Sequence, residues 1–253
     1  MRILLLVLML LASAASGAAE SRRFAVLSLI GDKLLVIQYT ATSSFQADQG
    51  LQAVVHLDDN SLDKTTLQAV DGALKAFDRT ITPLLLVAKD TTLYDAQAEL
   101  LASGRSSTSL LEKISPMLRG SGSTHLILVT KIRHEARVRE LKDTYLGGGQ
   151  LEGLGFYVDA GRSSPTATPD NPGLGGTPVL GPFAYYKLEL IDIARSEIVK
   201  TEVVTASRVF ANPGSANPWS TLSNTEKIAT LQDILRRETA KAVPVLLGRP
   251  KIN

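Results

Sequence analysis

The sequence of 253 residues contains no cysteine. That excludes a disulfide scaffold, a thiol nucleophile, a thiolate metal site and the lipidated cysteine of a bacterial lipoprotein, so packing must supply the stability. Aromatic residues make up only 5%, too few for a sugar-binding groove built from stacked rings. Net charge is nearly absent as well: a formal +2 gives no general attraction to nucleic acid or to anionic membrane. With three histidines in all, a histidine-rich metal site has little material. The apolar run near the start falls short of the about 20 residues that a membrane span needs.

That run is informative for another reason. Arg2 supplies a positive start, Ile3 to Leu11 an unbroken apolar stretch, and Ala12 to Ala19 the small residues a signal peptidase requires. The pattern predicts a signal peptide over residues 1–19, cleaved after Ala18 or Ala19. Arg2 is the only charge it removes, taking the formal net charge from +2 to +1. The expected product is a soluble periplasmic protein with no lipid anchor, no transmembrane segment after cleavage, and one domain over residues 20–253.

Hydrophobic periodicity gives the order of elements. Arg23 to Ile30 and Lys33 to Tyr39 read as strands, and the Gly31-Asp32 link predicts a hairpin between them. A short strand follows at Ala53 to Leu57. Leu67, Val70, Leu74, Phe77 and Ile81 recur at helical spacing, with Ser61 or Asp63 as N-cap and Pro83 beyond the end. Leu84 to Ala88 reads as a buried strand. Thr92-x-x-Asp95 resembles a capping box opening a helix that closes at Gly104, and Ser109-x-x-Glu112 begins another helix that Pro116 shortens.

His125 to Arg139 alternates along its length. Leu126, Leu128, Ile132, Ala136 and Val138 share one face, while Lys131, Arg133, Glu135, Arg137 and Arg139 share the other, which predicts a long strand with one wet side. Gly153 to Asp159 reads as a strand. Gly161 to Pro182, dense in proline, glycine and serine, predicts a mobile loop. Phe183 to Ile193 and Glu197 to Phe210 form a hairpin turning at Ala194-Arg195-Ser196. Ser223-x-x-Glu226 caps a final helix carrying Ile228, Leu231, Leu235, Ala242 and Leu246 on one face. The fold class that follows is α/β: a mixed β-sheet with helices packed on it, in a single domain with a C-terminal helix.

Three stretches carry a resemblance. Phe24-Ala-Val-Leu-Ser-Leu29 is similar to a Val-Ala-Val-Leu-Pro opening strand. Gly122-Ser-Thr-His-Leu-Ile-Leu-Val129 is similar to a Gly-Ala-Asp-Tyr-Val-Val-x-Gly helix-to-strand stretch, and Leu188 to Val199 to a Leu-x-Asp-x-x-Thr-Gly-x-x-Val strand pair. Together they resemble the periplasmic family that includes the curli secretion lipoprotein, lipoprotein activators of penicillin-binding proteins and TolB N-terminal-like domains. The resemblance spans Phe24 to Arg208. It implies a non-catalytic envelope accessory role and supplies no site residues. Two departures, the missing lipid-anchoring cysteine and the tight link after the first strand, set it apart from anchored, pore-forming members.

Catalytic templates find no match. His134-Glu135 opens like His-Glu-x-x-His, but Val138 stands where the second histidine belongs, and His56 and His125 are isolated. Ser28-Leu29-Ile30 lacks the ligand pair of a metallophosphoesterase strand. Gly120-Ser-Gly-Ser123 lacks the spacing of a nucleophile elbow. Gly147-Gly148-Gly149 with Gly153 and Gly155 contains neither a Walker lysine nor a dinucleotide fingerprint, and reads as a flexible link. Asp58-Asp59-Asn60 reads as a turn and cap rather than a calcium loop. No catalytic residue, metal ligand or cofactor is therefore assigned.

The basic stripe Lys131, Arg133, Arg137 and Arg139 is the candidate site. It suits an envelope or secretion protein, or an anionic glycan; otherwise it is a solvated face whose charges pair with Glu189, Glu197 or Glu202. The leading reading is a non-enzymatic binding or accessory module. The alternative is an exported hydrolase acting through Asp58, Asp59 and Asp159.

Overall fold

In a computed structural model, the described residues are 22–38, 51–57, 59–89, 91–104, 107–139, 145–146, 149–160, 178–212 and 217–249. The expected signal segment, the Gly161 to Thr177 part of the expected loop, Asp58 and the Gly147-Gly148 pair lie outside them. In chain order the elements are β1 (Phe24–Ser28), β2 (Lys33–Gln38), β3 (Leu51–His56), α1 (Ser61–Phe77), β4 (Leu84–Val87), α2 (Thr92–Ser103), α3 (Thr108–Leu118), β5 (His125–Lys131), β6 (Arg133–Glu135), β7 (Val138–Arg139), β8 (Tyr145–Leu146), β9 (Gln150–Asp159), β10 (Val179–Asp192), β11 (Glu197–Ser207), β12 (Phe210–Ala211), a 3-10 turn (Pro218–Thr221) and α4 (Asn224–Leu246).

Ten of the strands form one mixed, curled sheet with four helices packed on it, the expected α/β class. Its organiser is β10. One edge of this 14-residue strand pairs antiparallel with β11 over Phe183 to Asp192. The other edge is shared: Val179 to Tyr185 pairs with β9, and Tyr186 to Asp192 pairs with β5. Two subsheets therefore meet on β10, one made of β4, β1 and β5, the other of β3, β2 and β9. Strands β1, β4 and β5 run parallel. The near-continuous apolar sequences of β1 and β5 fit burial on both sides, whereas β4, expected to be buried, lies at the end of the sheet with Leu84 and Leu85 exposed.

One face of β1, β5, β9 and β10 presents Val26, Ile127, Val129, Phe156 and Leu188 to α1 and α4. The opposite face presents Leu27, Leu126, Leu128 and Ile191 to α2 and α3. Helix α4 starts with the predicted capping box: Ser223 Oγ accepts from Glu226 N–H, and the Glu226 carboxylate accepts from Ser223 N–H at 2.7 Å. It continues through Pro244 to Leu246, which is buried. Gly104 closes α2 at φ +65° as expected. Among the described residues, no helix is long and apolar enough to cross a membrane.

Several local expectations are corrected. β1 and β2 do not pair with each other; β1 lies between β4 and β5, and β2 between β3 and β9. The glycine in the link serves close approach instead of a hairpin turn, because a Cβ on Gly31 would stand 2.7 Å from Asp63 Oδ2. Neither Ser61 nor Asp63 caps α1, whose N-cap is Asn60. Thr91 precedes α2 without a side-chain cap, and α3 begins at Thr108. The strand expected over His125 to Arg139 is three strands, broken at Ile132 where the chain leaves β10 for β9.

Val179 to Pro182, expected in the loop, belongs to β10 and is buried. Pro182 sits in a central strand at the cost of one ladder bond. Arg208 N–H donates to Pro182 O at 3.0 Å, but proline has no N–H to return, and the ladder opens there between β11 and β12.

Candidate functional site

The fork where β5 and β9 divide the edge of β10 positions the candidate residues. Ile132 N–H donates to Tyr185 O at 3.2 Å, and Gly153 N–H donates to Ile132 O at 3.1 Å. Gly153 adopts φ +64°, and a Cβ there would lie 2.9 Å from Lys131 Cδ. The aliphatic stem of Lys131 therefore packs on a position that only glycine leaves open.

Lys131 is not on the wet stripe. Its side chain is 2% exposed and its ammonium is ion-paired with Asp32. Burial pulls its pKa down from the ordinary lysine value, while Asp32 pulls the other way. The alternation rule fails because both faces of β5 are covered: from Leu126 to Lys131 every residue is buried.

Arg133 and Arg137 do reach the surface, with side chains 55% and 52% exposed. Arg133 pairs with Glu152 at 2.8 Å and Arg137 with Glu135 at 3.1 Å, not with the acidic residues expected from sequence. The Arg137 backbone is clamped from two sides: its N–H donates to Tyr185 Oη at 2.6 Å, and its carbonyl accepts from Ser207 Oγ at 2.9 Å. Arg139 lies on β7, opposite Tyr145 on β8. The stripe thus divides into one core ion pair, at Lys131, and the surface residues Arg133 and Arg137.

By sequence Asp63 is only a possible cap, yet it is a node of the fold. Its carboxylate accepts from Ser28 Oγ at 2.5 Å, Tyr94 Oη at 2.7 Å, Ile30 N–H at 2.9 Å and Gly31 N–H at 3.1 Å. Burial raises its pKa above the ordinary value even though all four donors lower it. The same contact, with burial as the larger cause, pushes the Tyr94 hydroxyl far above its ordinary range. Gln97 adds a second tie, donating to Leu29 O and accepting from Lys131 N–H, both at 2.7 Å. These bonds fasten the C-terminal end of β1 to α1 and α2. No spacing motif announces Asp63, since its donors come from segments 31 to 35 residues away.

Beside Gln97, a cavity of about 370 Å³ lies between α2, α3 and the sheet. Leu100, Leu101 and Leu110 give it an apolar wall; Thr130, Lys187 and Arg133 give it polar groups. Sequence reasoning missed it, because Thr130 and Lys187 meet only through the β5–β10 register.

The carboxylates of the hydrolase alternative do not gather in the described part of the chain. Leu57 N–H donates to Asp32 O, which puts the Asp59 turn at the start of β2, whereas Asp159 follows Val158, the partner of Gln38 at its end. Asp59 itself accepts from Ser61 N–H. Among the described residues no three His, Asp or Glu side chains come together as a metal site.

The outermost strands stand apart from this interior chemistry. All six residues of β3 are exposed, including Leu51, Val54 and Val55, and Leu84 and Leu85 are exposed on β4 at the other end of the sheet.

This arrangement defines a half-barrel-like α/β domain. No protein-family model and no curated protein matches the sequence. Among solved structures, the chain is similar to PelC of Paraburkholderia phytofirmans, a dodecamer, at 14% identity over 90% of this chain and 89% of that one, TM-score 0.31. It is similar to a DUF330 protein of Xanthomonas campestris at 10% identity over 90% and 85%, TM-score 0.37. A putative neuraminyllactose-binding hemagglutinin homolog from Helicobacter pylori is similar at 9% identity over 87% and 85%, TM-score 0.32. None of these proteins is of the family that the strand motifs resemble, and that resemblance assigns no family to this chain.

Proposed function

We propose that this chain is an exported, non-catalytic binding module of the bacterial envelope, and that it engages a protein partner through β3. The observation carrying this reading is the character of that edge. Among the described residues β3 closes one end of the sheet with the sequence Leu-Gln-Ala-Val-Val-His, every residue exposed. The outward main-chain edge of such a strand invites another strand, and folds that avoid this place lysine, proline or a bulge there. β3 has none of these. An extended segment of a partner adding to β3 gains main-chain hydrogen bonds and covers Leu51, Val54 and Val55.

The interior carboxylates support the non-catalytic part of the reading: Asp63 and Asp32 are engaged in holding the fold. Arg133, Arg137 and Arg139 are the basic residues that meet acidic groups of the partner; Lys131, being buried, drops out of that set. The Arg2 to Ala19 pattern supports export to the periplasm.

A photo-crosslinking residue placed at Val54 in cells, with Lys75 on the exposed side of α1 as control, tests the partner. A discrete protein adduct from Val54 alone is the expected outcome. Adducts of equal yield from both positions, or none from Val54, overturn the reading. An adduct to glycan instead of protein replaces the partner class. N-terminal sequencing of the osmotic-shock fraction is expected to give Ala19 or Glu20; an intact Met1 in the membrane pellet removes the export step.

A further inference from the structure

We infer that the cavity between α2, α3 and the sheet is a binding site for a single-chain amphiphile with a carboxylate head, a site separate from the β3 edge. Its volume of about 370 Å³ falls at the lower end of small-molecule pockets, about 300–1,000 Å³. Three features define the ligand.

The first is an orphaned group. Thr130 is 2% exposed, lines the cavity, and its hydroxyl has no hydrogen-bond partner. A buried hydroxyl without a partner is costly, on the order of 1–3 kcal/mol, and a ligand oxygen in the cavity relieves that cost.

The second is charge. Lys187 stands opposite Thr130 in the β5–β10 register. Its ammonium donates to Glu189 Oε1 at 2.7 Å and to Ser107 Oγ at 2.8 Å. An ammonium carries three N–H donors, so one remains. Arg133 adds a second cation at the rim, and no acidic side chain lines the cavity. Glu189, outside the lining, fixes Lys187 through Oε1, while its buried Oε2 has no hydrogen-bond partner. The donors facing the cavity are the Thr130 hydroxyl, the remaining Lys187 N–H and the N–H groups of Arg133 that its pair with Glu152 leaves over; Gln150 at the wall adds an amide with both donor and acceptor ends. This excess of donors, with no acidic side chain in the lining, favours an acceptor-only head, which a carboxylate is and an amine is not.

The third is the wall. Leu100, Leu101 and Leu110 offer an apolar surface that an alkyl chain covers, at about 25 cal/mol per Å² removed from water. Gln97 does not compete for the head, because both ends of its amide are already bonded within the fold.

The test uses the purified chain and decanoate, titrated by isothermal calorimetry, with decylamine, decanol and acetate as comparison probes. Saturable 1:1 binding of decanoate is expected, about tenfold or more tighter than decanol, with no binding of acetate and none of decylamine. Thr130→Val removes the hydroxyl at nearly constant shape. It is expected to weaken decanoate about tenfold, the size of one hydrogen bond to a charged group, while thermal stability is unchanged or higher. Leu101→Trp fills the cavity and is expected to abolish binding; circular dichroism checks that the fold is kept. Absence of decanoate binding, equal binding of decylamine or decanol, or binding indifferent to Thr130→Val in a folded protein overturns the inference. The β3 crosslinking experiment is independent, so either result stands without the other.

Discussion

Asp63, in the first turn of α1, accepts the hydroxyl of Ser28 at 2.5 Å, and that bond anchors the end of β1 to the helix. The carboxylate also collects the N–H groups of Ile30 and Gly31 and the hydroxyl of Tyr94. The link after β1 is thereby drawn onto α1 instead of folding back as a hairpin. Asp63→Ala leaves four buried donors unpaired, and urea unfolding is expected to show a loss of about 3 kcal/mol or more. Asp63→Asn keeps one carbonyl acceptor and is expected to lose less.

The same site predicts a pH dependence. Burial holds the Asp63 pKa above its ordinary 3.8, so the native state binds this proton more tightly than the unfolded chain does. Its contribution is full below the unfolded pKa and is lost as pH rises through the raised native value. Asp63→Asn has no proton to lose there. Wild type is thus expected to decline relative to Asp63→Asn as pH is raised above the ordinary carboxylate value and through the raised native one; parallel stability curves as pH is raised count against the assignment.

For the core ion pair, the informative experiment is a double-mutant cycle. Asp32→Asn strands the buried Lys131 ammonium, and a loss of about 2–4 kcal/mol is expected. Adding Lys131→Met removes the stranded charge, and the double variant is expected to return to within about 1 kcal/mol of wild type. Burial lowers the Lys131 pKa, so the unfolded chain holds that proton more tightly and stability rises with pH between the native and unfolded values. Asp32→Asn, having lost the counter-ion, is expected to show the steeper rise toward about pH 10, and the double variant none.

Gly155 tests the close approach of β2, β9 and β10. A Cβ there would stand 2.0 Å from the Leu35 carbonyl and 2.8 Å from Phe183 Cζ. Gly155→Ala is expected to cost about 3 kcal/mol in chemical denaturation. Gly72→Ala, on α1 with nothing within 4 Å of its Cβ, is expected to stabilise by about 0.5–1 kcal/mol. A mild effect at Gly155 contradicts the register of β2 on β9.

The surface arginines test the partner reading. Arg133→Glu with Arg137→Glu is expected to weaken crosslinking from Val54 and to leave the unfolding midpoint nearly unchanged, because exposed pairs contribute only about 0–1 kcal/mol each. Partner capture is also expected to fall as salt is raised, exposed charges being screened over about 8 Å at physiological ionic strength. Capture insensitive to both removes Arg133 and Arg137 from the interface.

Local patterns settled much of this protein. Helical spacing marked α1 and α4, the Ser223 to Glu226 box set the start of α4 to the residue, and Gly104 closed α2, because these signals act within a few residues of themselves. The Ala194-Arg195-Ser196 turn and the β10–β11 hairpin were legible for the same reason. Pairing partners were not. Gly31-Asp32 fits a hairpin by local rules, yet Asp63, more than thirty residues on, claims the link. Lys131 alternates onto a wet face only if β5 has one, and α1, packed on the Ile127 and Val129 side, together with the Asp32 pair removes it. Pro182 looked like loop because the bond it lacks is visible only beside Arg208. Sequence by itself determined the helices, the β10–β11 hairpin and the α/β class, through short-range periodicity and the one capping box at Ser223. Which strands adjoin, which charge is buried, and that Thr130 and Lys187 share a cavity were decided by the tertiary structure, because those contacts join residues that no local pattern links.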